Sequence, residues 1–224
     1  MKRLVPVFIA LALLPLAASA DHSLNGHSAA MAGWTGQAAF YAYDPSDGDT
    51  LDAVVDYAVF APGDWVGAQG NWARLGLLQG GPLPGYNPQQ DYVYAYQIYN
   101  ENASTSPLSN VVLHSMGLNV MDIGTVTDIA HDAMYCSALG GVDPYAARLT
   151  SAGIDYLFGG ISPARHSTIL LFTSPNTPVL CMASLQNGGT SDSDYLPSPV
   201  PVPGAVVLGV VGLGIVTAVK RRLG

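Results

Sequence analysis

The segment DYVYAYQIYN, residues 91–100, decides the fold class of this 224-residue chain. Its large side chains alternate. Tyr92, Tyr94, Tyr96 and Ile98 fall on one side of an extended backbone, and Val93, Ala95, Gln97 and Tyr99 on the other. A strand sends successive side chains to opposite faces, so the pattern predicts a β-strand with a face rich in tyrosine. Upstream, QAAFYAYD (37–44) and TLDAVVDYAVFAPG (50–63) read as two further strands joined by the turn residues DPSDGD. The second carries β-branched and aromatic residues and stops at Pro62-Gly63, although its length would also permit a short helix, and the glycine- and proline-rich stretch 76–88 is expected to be a loop.

Downstream, Asn100 to Pro107 reads as a polar turn, and VVLHSMGLNVM (111–121) as a strand with a bulge or kink at Gly117. Residues 122–147 look irregular, and helical periodicity is confined to DPYAARLTSAG (143–153). IDYLFGG (154–160), HSTILLFTS (166–174) and VLCMASLQNGG (179–189) read as strands, whereas GGTSDSDYLPSP (188–199) reads as a flexible polar linker. Six or more short strands separated by turn chemistry predict a mainly β protein, an antiparallel β-sandwich.

The two ends carry a different signal. MKRLVPVFIALALLPLAASA (1–20) has a basic start, an apolar stretch and the small residues Ala18 and Ala20 around Ser19, the pattern of a secretory signal peptide cut after Ala20 by signal peptidase. At the other end, residues 205–219 are apolar or small except for Thr217, and Lys220, Arg221 and Arg222 follow at once. As a helix the run spans roughly 22 Å, somewhat short of a bilayer core of about 30 Å but able to cross with help from its flanks. The basic stub, 220–222, would stay on the cytoplasmic side. The expected organisation is therefore a signal peptide (1–20), a secreted domain (21–195) and a tail (196–224) holding linker, transmembrane helix and stub.

The order of that tail, with Pro201, Val202, Pro203 and Gly204 before the apolar run and Lys220-Arg221-Arg222 after it, resembles the PEP-CTERM sorting signal. Val202 stands where that family usually has Glu. The resemblance covers about 25 residues. It implies export by a Gram-negative bacterium and recognition of the tail at the inner membrane by an exosortase-type processing enzyme. It further implies a destination in the envelope, at the cell surface or in a biofilm matrix with exopolysaccharide as a companion. A permanent single-pass anchor is the competing reading of the same residues. A Leu-Pro-x-Thr-Gly sortase signal is absent, because Pro199 and Val200 follow Leu196-Pro197-Ser198. A lipid-anchor signal would lack the terminal basic cluster.

Charge narrows the function of the body. Between Asp21 and Asp194 lie all sixteen acidic residues but only Arg74, Arg148 and Arg165, a formal charge of −13 with histidines neutral, and no lysine. Phosphate backbones repel such a surface, so a nucleic-acid partner is not expected. The cysteines, Cys136 and Cys181, are two. In an oxidising compartment they could pair, closing a loop of roughly 45 residues with a stabilisation of about 4 kcal/mol. Two separate buried thiols are the alternative, and no CxxC or nearby histidine spacing suggests zinc.

No GxSxG, HExxH or Walker loop occurs, and no cofactor is expected. His114-Ser115, His166-Ser167 and His131-Asp132 are neighbours in sequence only, since adjacent strand residues face opposite ways. A non-enzymatic protein is the expectation, a hydrolase with dispersed residues the weakest alternative. His22 and His27 near the new terminus could hold a metal, but a disordered terminus explains them more simply. DPSDGD suits a hairpin turn better than a calcium loop. Trp34, Trp65, Trp72 and the Tyr92/Tyr94/Tyr96 row raise a second function, carbohydrate binding, which requires that row to be exposed.

Overall fold

The computed structural model describes residues 24–65, 73–114, 119–126, 141–151 and 153–199, which form two β-sheets and no helix. The strands are β1 (Thr35–Tyr43), β2 (Thr50–Phe60), β3 (Ala73–Arg74), β4 (Leu77–Gln79), β5 (Tyr92–Asn100), β6 (Leu108–His114) and β7 (Asp122–Val126). They continue with β8 (Ala146–Thr150), β9 (Gly153–Ile161), β10 (Arg165–His166), β11 (Ile169–Ser174), β12 (Pro178–Asn187) and β13 (Ser191–Pro199). The first sheet runs β1-β2-β5-β11-β7-β3, with β10 also on β5, and the second β13-β12-β6-β9-β8-β4. Among the described strands the ladders are antiparallel except that β4 lies parallel to β8, and the isolated bridge Val142↔Ser167 is also parallel.

The expected alternation in 91–100 is realised, and both faces of β5 are buried. Tyr94, Tyr96 and Ile98 enter the core between the sheets with Phe40, Val55 and Phe172 of the first sheet and Leu113, Tyr156 and Leu185 of the second. Val93 and Ala95 point the other way, into a second cluster built from Leu24, Phe60, Trp65, Ile169 and Leu171. That cluster exists because the segment before β1 folds back over the outer face of the first sheet. Met31 N–H donates to Val59 O at 2.8 Å, Val59 N–H to Trp34 O at 2.9 Å, and Thr35 Oγ1 to Leu24 O at 2.7 Å. From Leu24 onward the amino-terminal segment is thus ordered, contrary to the expectation of a disordered terminus.

Three tyrosines tie the layers together. Tyr96 O–H donates to Pro197 O of the second sheet, Tyr156 O–H to Leu171 O of the first at 3.1 Å, and Tyr94 O–H to Asn176 O at 2.7 Å. Tyr94 also stacks on Phe172 with ring centres 4.8 Å apart. Each bond satisfies a hydroxyl that would otherwise be costly to bury, and each contributes about 1 kcal/mol net.

Several expectations are corrected. Residues 188–199 are no linker: Gly188-Gly189 turn the hairpin, and β13 pairs with β12 from Pro178↔Pro199 to Gln186↔Ser191, so the folded body runs past residue 195. The 122–147 stretch holds β7 and the start of β8, and the helical reading of 143–153 gives way to strand β8 on β9. Within 76–88, β4 forms a short strand. The strand expected over 111–121 begins earlier, at Leu108, and ends at His114; Gly117 lies outside the described residues. HSTILLFTS is split into β10 and β11: Ser167 stays on β5, its N–H donating to Ile98 O and its Oγ taking the Ile98 N–H in place of a backbone carbonyl, while Thr168 N–H turns to Val142 O at 3.1 Å.

Candidate functional site

The sorting and cleavage residues Ala18, Ala20, Pro201, Val202, Pro203, Gly204, Lys220, Arg221 and Arg222 lie outside the described residues, as does the expected membrane span. Among the described residues no helix is long and apolar enough to cross a membrane. Cys136, His22, His131, Ser115 and Trp72 are likewise outside, so the structure does not address the pairing of Cys136 with Cys181. Cys181 sits half-buried on β12 opposite Leu196, and burial raises its thiol pKa.

The other candidates fall on structural positions. His27 is buried with its ring edge-on to Phe60, and its Nδ1 accepts from Ala29 N–H at 3.2 Å. DPSDGD is the β1–β2 hairpin: Asp44 N–H donates to Asp49 O at 2.8 Å, Ser46 N–H to Asp44 Oδ1 at 2.8 Å, and Gly48 takes φ +81°. Asp44 is held below the ordinary carboxylate value by those bonds from Ser46. Among the described residues no three His, Cys, Asp or Glu side chains gather as a metal site would need. Ser167 Oγ accepts from Ile98 N–H at 3.0 Å and lies fully buried. Tyr94 and Tyr96 are 0% and 2% exposed and Trp65 3%, and Tyr92 and Trp34 are half-buried against the same core, so the row packs inward and offers no flat exposed platform for a sugar.

Among the described residues a hollow surface lies where the loop from Gly80 to Asp91 crosses the end of the first sheet. Gly85, at φ +98°, turns the chain so that its N–H donates to Met121 O at 2.7 Å. Asn87 then closes a turn on Asp91: the Asp91 carboxylate accepts from Asn87 N–H at 2.6 Å, and Asp91 N–H donates to Asn87 O at 2.9 Å. Two adjoining hollows, of about 500 and 530 Å³, share Gly85 and Tyr86. The first is walled by Arg74, Leu83 and Asp122, the second by Asn87, Gln90, Asp91 and Pro175.

Arg74 Nη2 meets the Asp122 carboxylate at 2.7 Å, the arginine half-exposed and the aspartate buried. Ile123 N–H donates to the other Asp122 oxygen at 2.9 Å. Among the described residues no cation pairs with Asp91 in this way. Burial raises its pKa, the hydrogen bond from Asn87 partly offsets this, and the charge of Asp122 raises it further. Tyr86 titrates above its ordinary range, through burial and then the nearby Asp91 charge, so its hydroxyl stays protonated at neutral pH.

The sequence pointed to this loop only as a loop. The signal available was an aromatic residue amid glycine and proline, LPGYNP, followed closely by an acid at the start of the strongest strand. Fold and site together define a two-sheet β protein with a loop-built groove of mixed polar and apolar lining at one end. Comparison with known proteins returns no matching family model, no matching curated protein and no matching solved structure.

Proposed function

We propose that this chain is an exported, non-enzymatic protein of the cell surface or extracellular matrix, built as a β-sandwich and sorted through its carboxyl-terminal segment. The observation that supports the reading is where the described strands lie. Every described strand lies between Thr35 and Pro199, inside the interval bounded by the Ala18-Ser19-Ala20 site and the Pro201-Val202-Pro203 segment. The Pro201-Val202-Pro203 segment thus starts two residues after the last sheet pair, Pro178↔Pro199. An enzyme reading Pro201-Val202-Pro203 would have a substrate joined directly to an edge strand of the body. The acidic, lysine-free composition of the body suits an extracellular polypeptide.

Intact-mass analysis of the protein from its native host tests this. Loss of residues 1–20 together with a cut near Pro203 is the expected result. Loss of 1–20 with the tail retained overturns sorting and leaves a permanent anchor.

A further inference from the structure

We propose that the groove over Tyr86 is a saccharide-binding site for sugars that are uncharged or carry an amine. Its size is right: each hollow falls within the range of about 300–1,000 Å³ typical of small-ligand sites. Its chemistry is divided as a sugar ring is divided. Tyr86, half-buried against the second cluster, sits between the hollows with Pro84 and Pro175 beside it, and the part of its ring that lines them offers, with the prolines, a rigid apolar surface to the C–H face of a pyranose. Around them stand Asn87, Gln90 and Asp91, with Asp122 and Arg74 in the adjoining hollow. Carboxylates and carboxamides accept or donate in pairs, which matches vicinal hydroxyls.

Charge selects within the class. Two carboxylates face the groove with one arginine to balance them, in a body of strongly negative charge, so a uronate or sulfate chain would meet repulsion. An ammonium group would find the Asp91 carboxylate and the Tyr86 face, Asp122 being already paired with Arg74 and Ile123 N–H. An extended peptide fits less well, because peptide grooves use an open sheet edge or a deep apolar anchor; here the wall is a loop already bonded to Met121 and to itself. Those bonds pre-form the site and reduce the ordering cost of binding.

The test uses the full-length chain in a sugar-free detergent, titrated calorimetrically with neutral gluco- and galacto-oligosaccharides, glucosamine oligomers and oligouronates. Saturable binding of a neutral or glucosamine oligomer, with oligouronates excluded, is the expected result. Tyr86→Ala should weaken it about tenfold. Gln90→Ala, at an exposed side chain, should weaken it about threefold with the melting temperature unchanged. No saturable binding by either class up to about 10 mM overturns the proposal, as does tightest binding of an oligouronate. Unaltered affinity in both variants also overturns it. The outcome is independent of how the tail is processed, so failure here leaves the sorting reading standing, and the reverse holds too.

Discussion

Single residues show how burial, rather than residue type, assigns a role. Tyr94, Tyr96 and Tyr156 are large, polar-tipped and confined to the core, and each hydroxyl reaches a carbonyl across or beyond its own sheet. Tyr86 has the same side chain, but the glycine turn at Gly85 places it at the surface between two hollows. Asp91 provides a test at this scale. Its folded pKa lies above the ordinary 3.8 because burial disfavours the charge. The native state therefore holds the proton more tightly than the unfolded chain, and stability falls as pH rises from about 4 through the raised value. Asp91→Asn can keep the bond to Asn87 N–H while removing that titration. In melts at a series of pH values, the variant should gain on the wild type as pH climbs through this window and lie closest to it below about pH 4. A difference that stays constant with pH would show that Asp91 titrates normally.

At the scale of elements, the edges explain what pattern reading missed. A strand at the rim of a sheet needs little apolar sequence, and protein edges are kept short, charged or interrupted by proline to prevent open pairing. β13 has Asp192, Asp194, Pro197 and Pro199, with Leu196 as its anchor in the shared core. Its Asp192 also accepts the Tyr41 N–H on neighbouring β1 at 2.7 Å, so one edge protects the other. The remaining rims are short, two residues in β3 and three in β4. The polarity of SDSDYLPSP imitates a linker for that reason. Leu196→Ala should therefore lower unfolding stability by about 2–5 kcal/mol in denaturant titration. A change within about 0.5 kcal/mol is what a solvent-exposed linker would give, and would count against β13 as a structural strand. β8 was obscured differently: AARLT is made largely of helix formers, but pairing with β9 on one side and β4 on the other overrides that weak preference. β7 carries Gly124 inside a strand buried at four of five positions, so it shows neither alternation nor β-branched density.

For the whole molecule, the distribution of lysine turns the sorting proposal into a second measurement. Lysine occurs at residues 2 and 220, one in each terminal segment. A protein trimmed at both ends would carry no lysine, so an amine-reactive reagent would add one label, at the new α-amino group. A protein that keeps its tail would take two after denaturation, the second at Lys220. Two labels on the host-derived protein would contradict tail removal.

By itself the sequence determined the β class, the strands read at 37–44, 50–63 and 91–100, and the Asp-Gly hairpin, because these follow from side-chain periodicity and local turn chemistry. It also carried the terminal patterns on which the sorting proposal rests. Only the tertiary structure decided which strands are central and which are edges, since that depends on partners distant in the chain. It decided that both faces of β5 are covered, because the segment beginning at Leu24 folds over the outer side of the first sheet. Periodicity reports that a side chain alternates; it does not report what lies opposite. That is why the tyrosine row was legible as a row and not as core, and why the groove over Tyr86 emerged only when the loop, Asp122 and Pro175 were brought together in space.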